Sequence, residues 1–298
     1  MAVTDTVSQP ATQSTAPPRG RMARLSRFVR RHPNIAVGAV ILVSIVACSL
    51  LAPLIAPYDP DAINPSGRLK PPSAEHWFGT DAFGRDVLSR VIWGGRISLV
   101  VGLTVAFFAV GIGLVIGLVA GFSRIADAIL MRIMDAMMAI PGILLAIALV
   151  ALTTASIETV VFALVVPEIP RVVRLVRAMV LSLREQPFVE AARAVGTRFH
   201  MILFRHIMPN TIAPLIVQAT FICAFAILGE AYLSFLGVGL PPPTSTWGSV
   251  IAEGRKVFSL AVWVVLFPGL FLGFTVLSIN LIGDGLRDIL DPKLSRRL

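Results

Sequence analysis

Between Ile97 and Phe122 the chain runs for 26 residues without one charged side chain. A helix needs about 20 apolar residues to cross the hydrocarbon core of a bilayer, so this run alone excludes most soluble folds. Composition extends the point to the whole chain. Charged residues make up 14% and hydrophobic residues 56%, with a mean hydropathy of +0.82, whereas soluble domains carry about 25% charged residues. In lipid only helices or closed barrels satisfy the backbone, and barrel strands alternate apolar with polar residues. The apolar runs here are continuous, which predicts an all-α integral membrane chain. About six transmembrane helices are expected, over Ile35–Ala56, Ile97–Phe122, Met134–Leu152, Thr159–Val180, Thr211–Leu233 and Leu260–Ile282. The third contains Pro141, and the fourth is interrupted by Pro167-Glu168-Ile169-Pro170.

Lys and Arg in the loops set orientation. With both termini cytoplasmic, 19 of the 26 basic residues fall on the inner side. The expected order is a disordered, basic cytoplasmic tail (1–34), a first span (35–56), an extracytoplasmic segment (57–96), and a core over 97–298 carrying a cytoplasmic loop at about 186–210. The first apolar run is too long and starts too late for a cleaved signal peptide. The net charge of +9 then mostly reflects topology. No basic soluble module is present to bind nucleic acid.

Several chemistries lack their residues. Only Lys70, Lys256 and Lys293 are present and none follows a glycine, so no Gly-Lys-Ser/Thr phosphate loop exists. The four histidines make no metal-ligand spacing, and no nucleophile elbow occurs. No catalytic residue, metal or cofactor is expected in this chain. Cys48 and Cys223 read as small apolar residues inside spans. Among ionisable groups within spans, Asp135 is placed near the inner interface, Glu168 has Arg171 at helical neighbour spacing, and Glu230 lies toward the outer end of the fifth span. Interface positions or a local ion pair are the favoured readings.

The polar segment near the middle of the chain is patterned. Val189–Val195 predicts a short helix with small alanines, and Gly196 supplies a turn. Phe199–His206 predicts a second short helix, and Pro209 can open the next one. Such an elbow offers a close approach to a partner, with Glu190, Arg193 and His206 at its rim. Elsewhere, Asp86 can cap a short surface helix, Val87–Trp93, with Val87, Leu88 and Val91 toward lipid. Gly113 and Gly117 have the spacing that lets membrane helices approach, either within the chain or against a partner.

The series Glu190-Ala191-Ala192-x-x-x-Gly196, nine residues, then His206-x-x-Pro209 resembles the "EAA" loop of the membrane subunits of bacterial ABC importers. The stretches His76–Arg90 with Gly95–Leu99, Leu233–Gly239 with Trp247-Gly248, and Asn280–Pro292 are similar to signatures of dipeptide/oligopeptide permeases, specifically the C-type subunit of the peptide/nickel branch. The resemblance runs from about residue 25 to the end. It departs at Val166–Arg171, where many relatives carry an aromatic–Arg pair. It implies a type I ABC importer permease fold in the bacterial plasma (inner) membrane. It implies a coupling loop, formed by Glu190, Ala191, Ala192, Gly196, His206 and Pro209, that docks on a cytoplasmic ATPase. The implied partners are a second permease subunit, two ATPase subunits, an extracytoplasmic solute-binding protein and a peptide substrate. Alternatives are a permease for nickel or another small solute, or a self-contained secondary transporter.

Overall fold

The computed structural model describes residues 29–154 and 156–290. The tail up to residue 28, and Asp291 onward, lie outside them. The helices are α1 (Pro33–Leu50), α2 (Ala52–Ile55), α3 (Val87–Phe122), α4 (Arg124–Met138), α5 (Gly142–Ala151), α6 (Ile157–Leu183), α7 (Pro187–Ala194), α8 (Phe199–Ile202), α9 (Met208–Phe235), α10 (Trp247–Gly254) and α11 (Trp263–Leu290). No strand occurs among the described residues, only a single bridge between Thr80 and Asp86. Residues from Asn34 onward form one compact unit.

Side-chain caps fix the starts. The Asp86 carboxylate accepts from Ser89 N at the head of α3, Ser123 accepts from Ala126 N before α4, and Ser156 accepts from Thr159 N before α6. Thr246 and Ser249 form a reciprocal capping box at α10. Each supplies an acceptor to an amide that has no partner within its helix.

The core is a seam between α3 and α6, with α9 and α11 packed alongside. On α3, Gly113, Gly117 and Gly121 face Val172, Val176 and Val180 of α6. A Cβ added at those glycines would lie 2.5, 2.6 and 2.6 Å from the respective valine Cβ. One helix therefore presents a groove and the other a ridge, both with a period of four residues. The small-residue spacing serves packing within the chain.

Among the described residues four stretches are long and apolar enough to cross a membrane: α1, α3, His200–Phe235 and α11. The pair α4–α5 makes a fifth if its 87° bend is taken as a broken span. The continuous helix expected over Met134–Leu152 is thus not formed. Pro141 offers no amide of its own and disfavours helix in the residue before it, and its own ψ of 127° turns the chain out of the helix. The reverse holds in α6, where helix continues through both Pro167 and Pro170. There the valine ridge is held in the glycine groove, and packing offsets two missing hydrogen bonds. At 27 residues α6 has ample length for a span, but Glu168, Arg171 and Arg174 set it apart from the apolar four.

The expected surface helix Val87–Trp93 is the first part of α3, and Val87 and Val91 are fully buried. Gly94 and Gly95 do not end it. A Cβ at Gly94 would lie 3.0 Å from the Thr246 carbonyl carbon, and one at Gly95 would lie 2.9 Å from the Trp247 ring. Gly94 is a glycine because the start of α10 crosses there, and Gly95 because Ser49 of α1 and Trp247 of α10 both close on it.

Candidate functional site

The elbow begins with Pro187 at the first position of α7, where a missing amide costs nothing. It ends α7 in a closed turn. Thr197 N donates to Ala192 O at 3.0 Å and Gly196 N to Arg193 O at 2.9 Å, with Gly196 at φ +78°. That pair of bonds is the Schellman arrangement, which needs a left-handed residue at the position of Gly196. The space around Gly196 is open, so the glycine is required by backbone conformation alone. The second short helix is shorter than expected. α8 stops at Ile202, and Leu203–Ile207 form a π-helical turn before α9. The turn sets the His206 ring 6.4 Å from that of Phe188, bringing the two arms together. Asn210 Nδ2 donates to His206 O, and Pro209 opens α9.

The elbow has two apolar faces. Val189, Ile202, Leu203 and Ile207 are buried against the body of the protein. Phe188, Val195, Met201 and Phe204 point away from it, Val195 being 86% and Phe204 59% exposed. Glu190, Ala191, Arg193, Ala194 and Pro209 are exposed with them, while Ala192 and His206 are half-buried. An exposed apolar cluster rimmed by charge marks a contact surface. The sequence shows the polar rim, the alanines and the apolar Met201, Ile202 and Phe204, but not that Met201 and Phe204 share an exposed face with Phe188 and Val195 while Ile202 is buried. The signal of that face was the apolar residues of the segment that fall out of phase with its buried set.

A cavity of about 470 Å³ lies where the α4–α5 bend meets α6 and α9. Glu168 and Arg171 stand on its α6 wall and Phe225 and Tyr232 on its α9 wall. Arg171 Nη1 donates to both Glu168 oxygens, at 3.2 and 3.3 Å. Further along α6, Arg174 pairs with Asp135 at 2.6 Å, and Arg177 pairs with Asp127 on α4. Glu230 is elsewhere, sealed between α9 and α10. Its Oε1 accepts from Ser234 and Thr246 hydroxyls, both at 2.8 Å, and its Oε2 has no partner among the described residues.

Residues 109–296 match the family of binding-protein-dependent transport system inner membrane components, and residues 22–72 match the N-terminal transmembrane domain of oligopeptide transport permease C. The chain belongs to this permease family. It is 48% identical over 269 residues to a putative peptide transport system permease protein of Brucella abortus, covering 90% of this chain and 91% of that one. It is 46% identical to the dipeptide transport system permease protein DppC of Alkalihalophilus pseudofirmus, covering 87% and 85%. The MetNI methionine ABC transporter, in an inward-facing structure, contains a chain of like fold, with a TM-score of 0.56 at 22% identity, covering 68% of this chain and 98% of that one. The fold is that of an ABC importer permease. The protein is therefore a multi-pass inner-membrane transport subunit rather than an enzyme. Dependence on a binding protein sets aside a self-contained secondary transporter.

In this permease the segment before α3 is a lock. Arg90, 1% exposed, donates from Nη1 to Asp81 at 2.8 Å and to Glu253 at 2.7 Å, and from Nε to Ser245 at 3.2 Å. Arg85 bonds Asp81 at 2.7 Å and also pairs with Glu253. His76 Nδ1 lies 2.9 Å from Asp86, Trp247 Nε1 donates to Val91 O, and Trp263 Nε1 to Thr80 O. The motif around residues 76–90 thus fastens the segment before α3 to α10 and α11. Glu253, its acidic anchor, had no sequence signal, since its partners lie more than 160 residues earlier.

Proposed function

We propose that this chain is the transmembrane half of an ATP-driven importer of di- and oligopeptides, and that its elbow couples ATPase motion to alternating access. The observation that carries the reading is the elbow itself. Its exposed apolar cluster is seated on a buried apolar base, so force applied to the surface passes into α6 and α9. Peptide as cargo is supported by the names of the relatives. The partners are a second permease, two cytoplasmic ATPase subunits and an extracytoplasmic solute-binding protein.

The roles divide by geometry. Ala191 keeps the exposed face of α7 low enough for a cleft to close over it, while Ala192 seats the helix on the core. Glu190 supplies an exposed charge at the rim, Gly196 sets the angle between the arms, and His206 with Pro209 fixes where α9 begins. Docking transmits work only if the contact differs in free energy between the two states. The test is uptake of a labelled dipeptide by proteoliposomes holding the assembled importer. Glu190→Lys should abolish uptake while the permease stays inserted and the ATPases still turn over. Full uptake by that variant overturns the coupling role. Uptake of nickel ions instead of peptide by the unaltered importer overturns the cargo.

A further inference from the structure

The three arginines on α6 are not equivalent. Arg174 and Arg177 are neutralised across the helix interface by Asp135 and Asp127 of α4. Arg171 is paired with no acid on another helix among the described residues. Among the described residues its hydrogen bonds go to Glu168 alone, from one nitrogen, at two long distances. Its guanidinium lies 5.3 Å over the Phe225 ring, and its side chain is 52% exposed while that of Glu168 is 5% exposed. The Nε–Nη2 edge, the fork that grips a carboxylate through two parallel bonds, is thus without a carboxylate.

The surroundings hold this pair in place. The valine ridge of α6 is locked into the glycines of α3, so the helix cannot roll the two charges away from the cavity. A charge facing hydrocarbon is costly, so the exposed Arg171 requires water or a polar occupant on this side. The remaining wall is apolar or aromatic, with Met138, Ile143, Phe225 and Tyr232. At about 470 Å³ the cavity falls in the range of small-ligand sites, about 300–1,000 Å³.

We propose that this cavity is a binding station for a short zwitterionic peptide, Arg171 receiving its terminal carboxylate and Glu168 its terminal ammonium. This rests on the peptide-importer reading above and adds the place and the chemistry of recognition. The two termini of an extended dipeptide lie about 7 Å apart, so the peptide enters by parting the weak Glu168–Arg171 contact and satisfying both halves. A lone cation or anion would satisfy only one. An apolar wall that reads only the terminal charges accepts many side chains, as a carrier of varied peptides requires.

The test uses the assembled, nucleotide-free importer in nanodiscs, with Cys48→Ala and Cys223→Ala as background and Phe225→Cys as reporter. A water-soluble thiol reagent should label the introduced thiol. Dialanine at a few times its dissociation constant should slow labelling about fivefold. Amidated or N-acetylated dialanine should protect less. Arg171→Gln should erase the preference for a free carboxylate, and Glu168→Gln the preference for a free amine. If Phe225→Cys prevents assembly, Tyr232→Cys reports from the same wall. No labelling, labelling without protection, or unchanged preferences in both variants would each overturn the proposal. ATP-driven dipeptide uptake by the unaltered importer is measured in parallel. Its loss removes the functional reading, whereas normal uptake without protection removes only this station.

Discussion

Arg90 Nη1 sits 2.7 Å from Glu253 Oε2, and its Nη2 3.2 Å from Oε1, joining the head of α3 to the end of α10. Arg90 is buried, and Asp81 lies on the same nitrogen. Removing one member of a buried ionic set leaves the others uncompensated, at a cost of about 3–5 kcal/mol. Arg90→Ala should therefore lower the thermal midpoint of the detergent-solubilised permease strongly. Glu253→Gln should lower it less, since Asp81 still faces both arginines. Arg90→Lys should resemble Arg90→Ala more than the parent, because an ammonium cannot reproduce the fork. An unchanged midpoint for Arg90→Ala would remove the lock from the account of this fold.

The glycine groove makes a second expectation. Gly117→Ala would place its Cβ 2.6 Å from that of Val176, inside any permitted contact. Overpacking of this kind costs about 1–3 kcal/mol, through separation of α3 from α6. Gly111 is on the same helix with nothing within 4 Å. Gly111→Ala should be neutral or stabilising, by up to about 1 kcal/mol of helix propensity. Thermal unfolding of the two variants side by side is decisive. Equal effects would mean that the groove does not set the spacing of these helices.

At Gly196 the requirement is conformational. A side chain there meets no neighbour, so the cost comes from the left-handed backbone, about 1–2 kcal/mol for an ordinary residue. Asn tolerates that conformation better than Ala, and a β-branched residue tolerates it least. Peptide taken up per ATP hydrolysed should fall in the order Gly, Asn, Ala, Val. An order following side-chain size alone, with Asn below Ala, would mean that clearance at a docked partner governs this position instead.

The residues that sequence reading placed correctly are those whose signal is local. The charge-free run of α3 had to be a membrane helix, and Gly196 had to be a turn. Asp86 was recognisable as a cap from its place before Val87. What escaped depends on partners distant in sequence. Pro141 breaks a helix and Pro167 does not, although both are prolines in apolar runs, because only α6 is held along its length by α3. Val87 and Val91 looked lipid-facing because nothing nearby announced that Trp247 of α10, more than 150 residues on, packs against this turn of α3. The apolar residues of the elbow were visible, but their division into buried and exposed sets needed the fold.

That division supports a last expectation, which separates docking from folding. Val189 is fully buried and Val195 is 86% exposed, although one lies within α7 and the other caps its end. Val189→Asp buries an unpaired charge and should collapse the elbow and lower the yield of inserted permease. Val195→Asp should leave thermal unfolding within about 0.5 kcal/mol of the parent, as exposed substitutions do, yet weaken capture of the ATPase subunits by a tagged permease. Phe204→Ala should act similarly, since truncating an aromatic anchor in an interface costs about 2 kcal/mol, or about thirtyfold in affinity. Undiminished capture by both exposed-site variants, with their folds intact, would show that the outward apolar cluster is not where the motor binds.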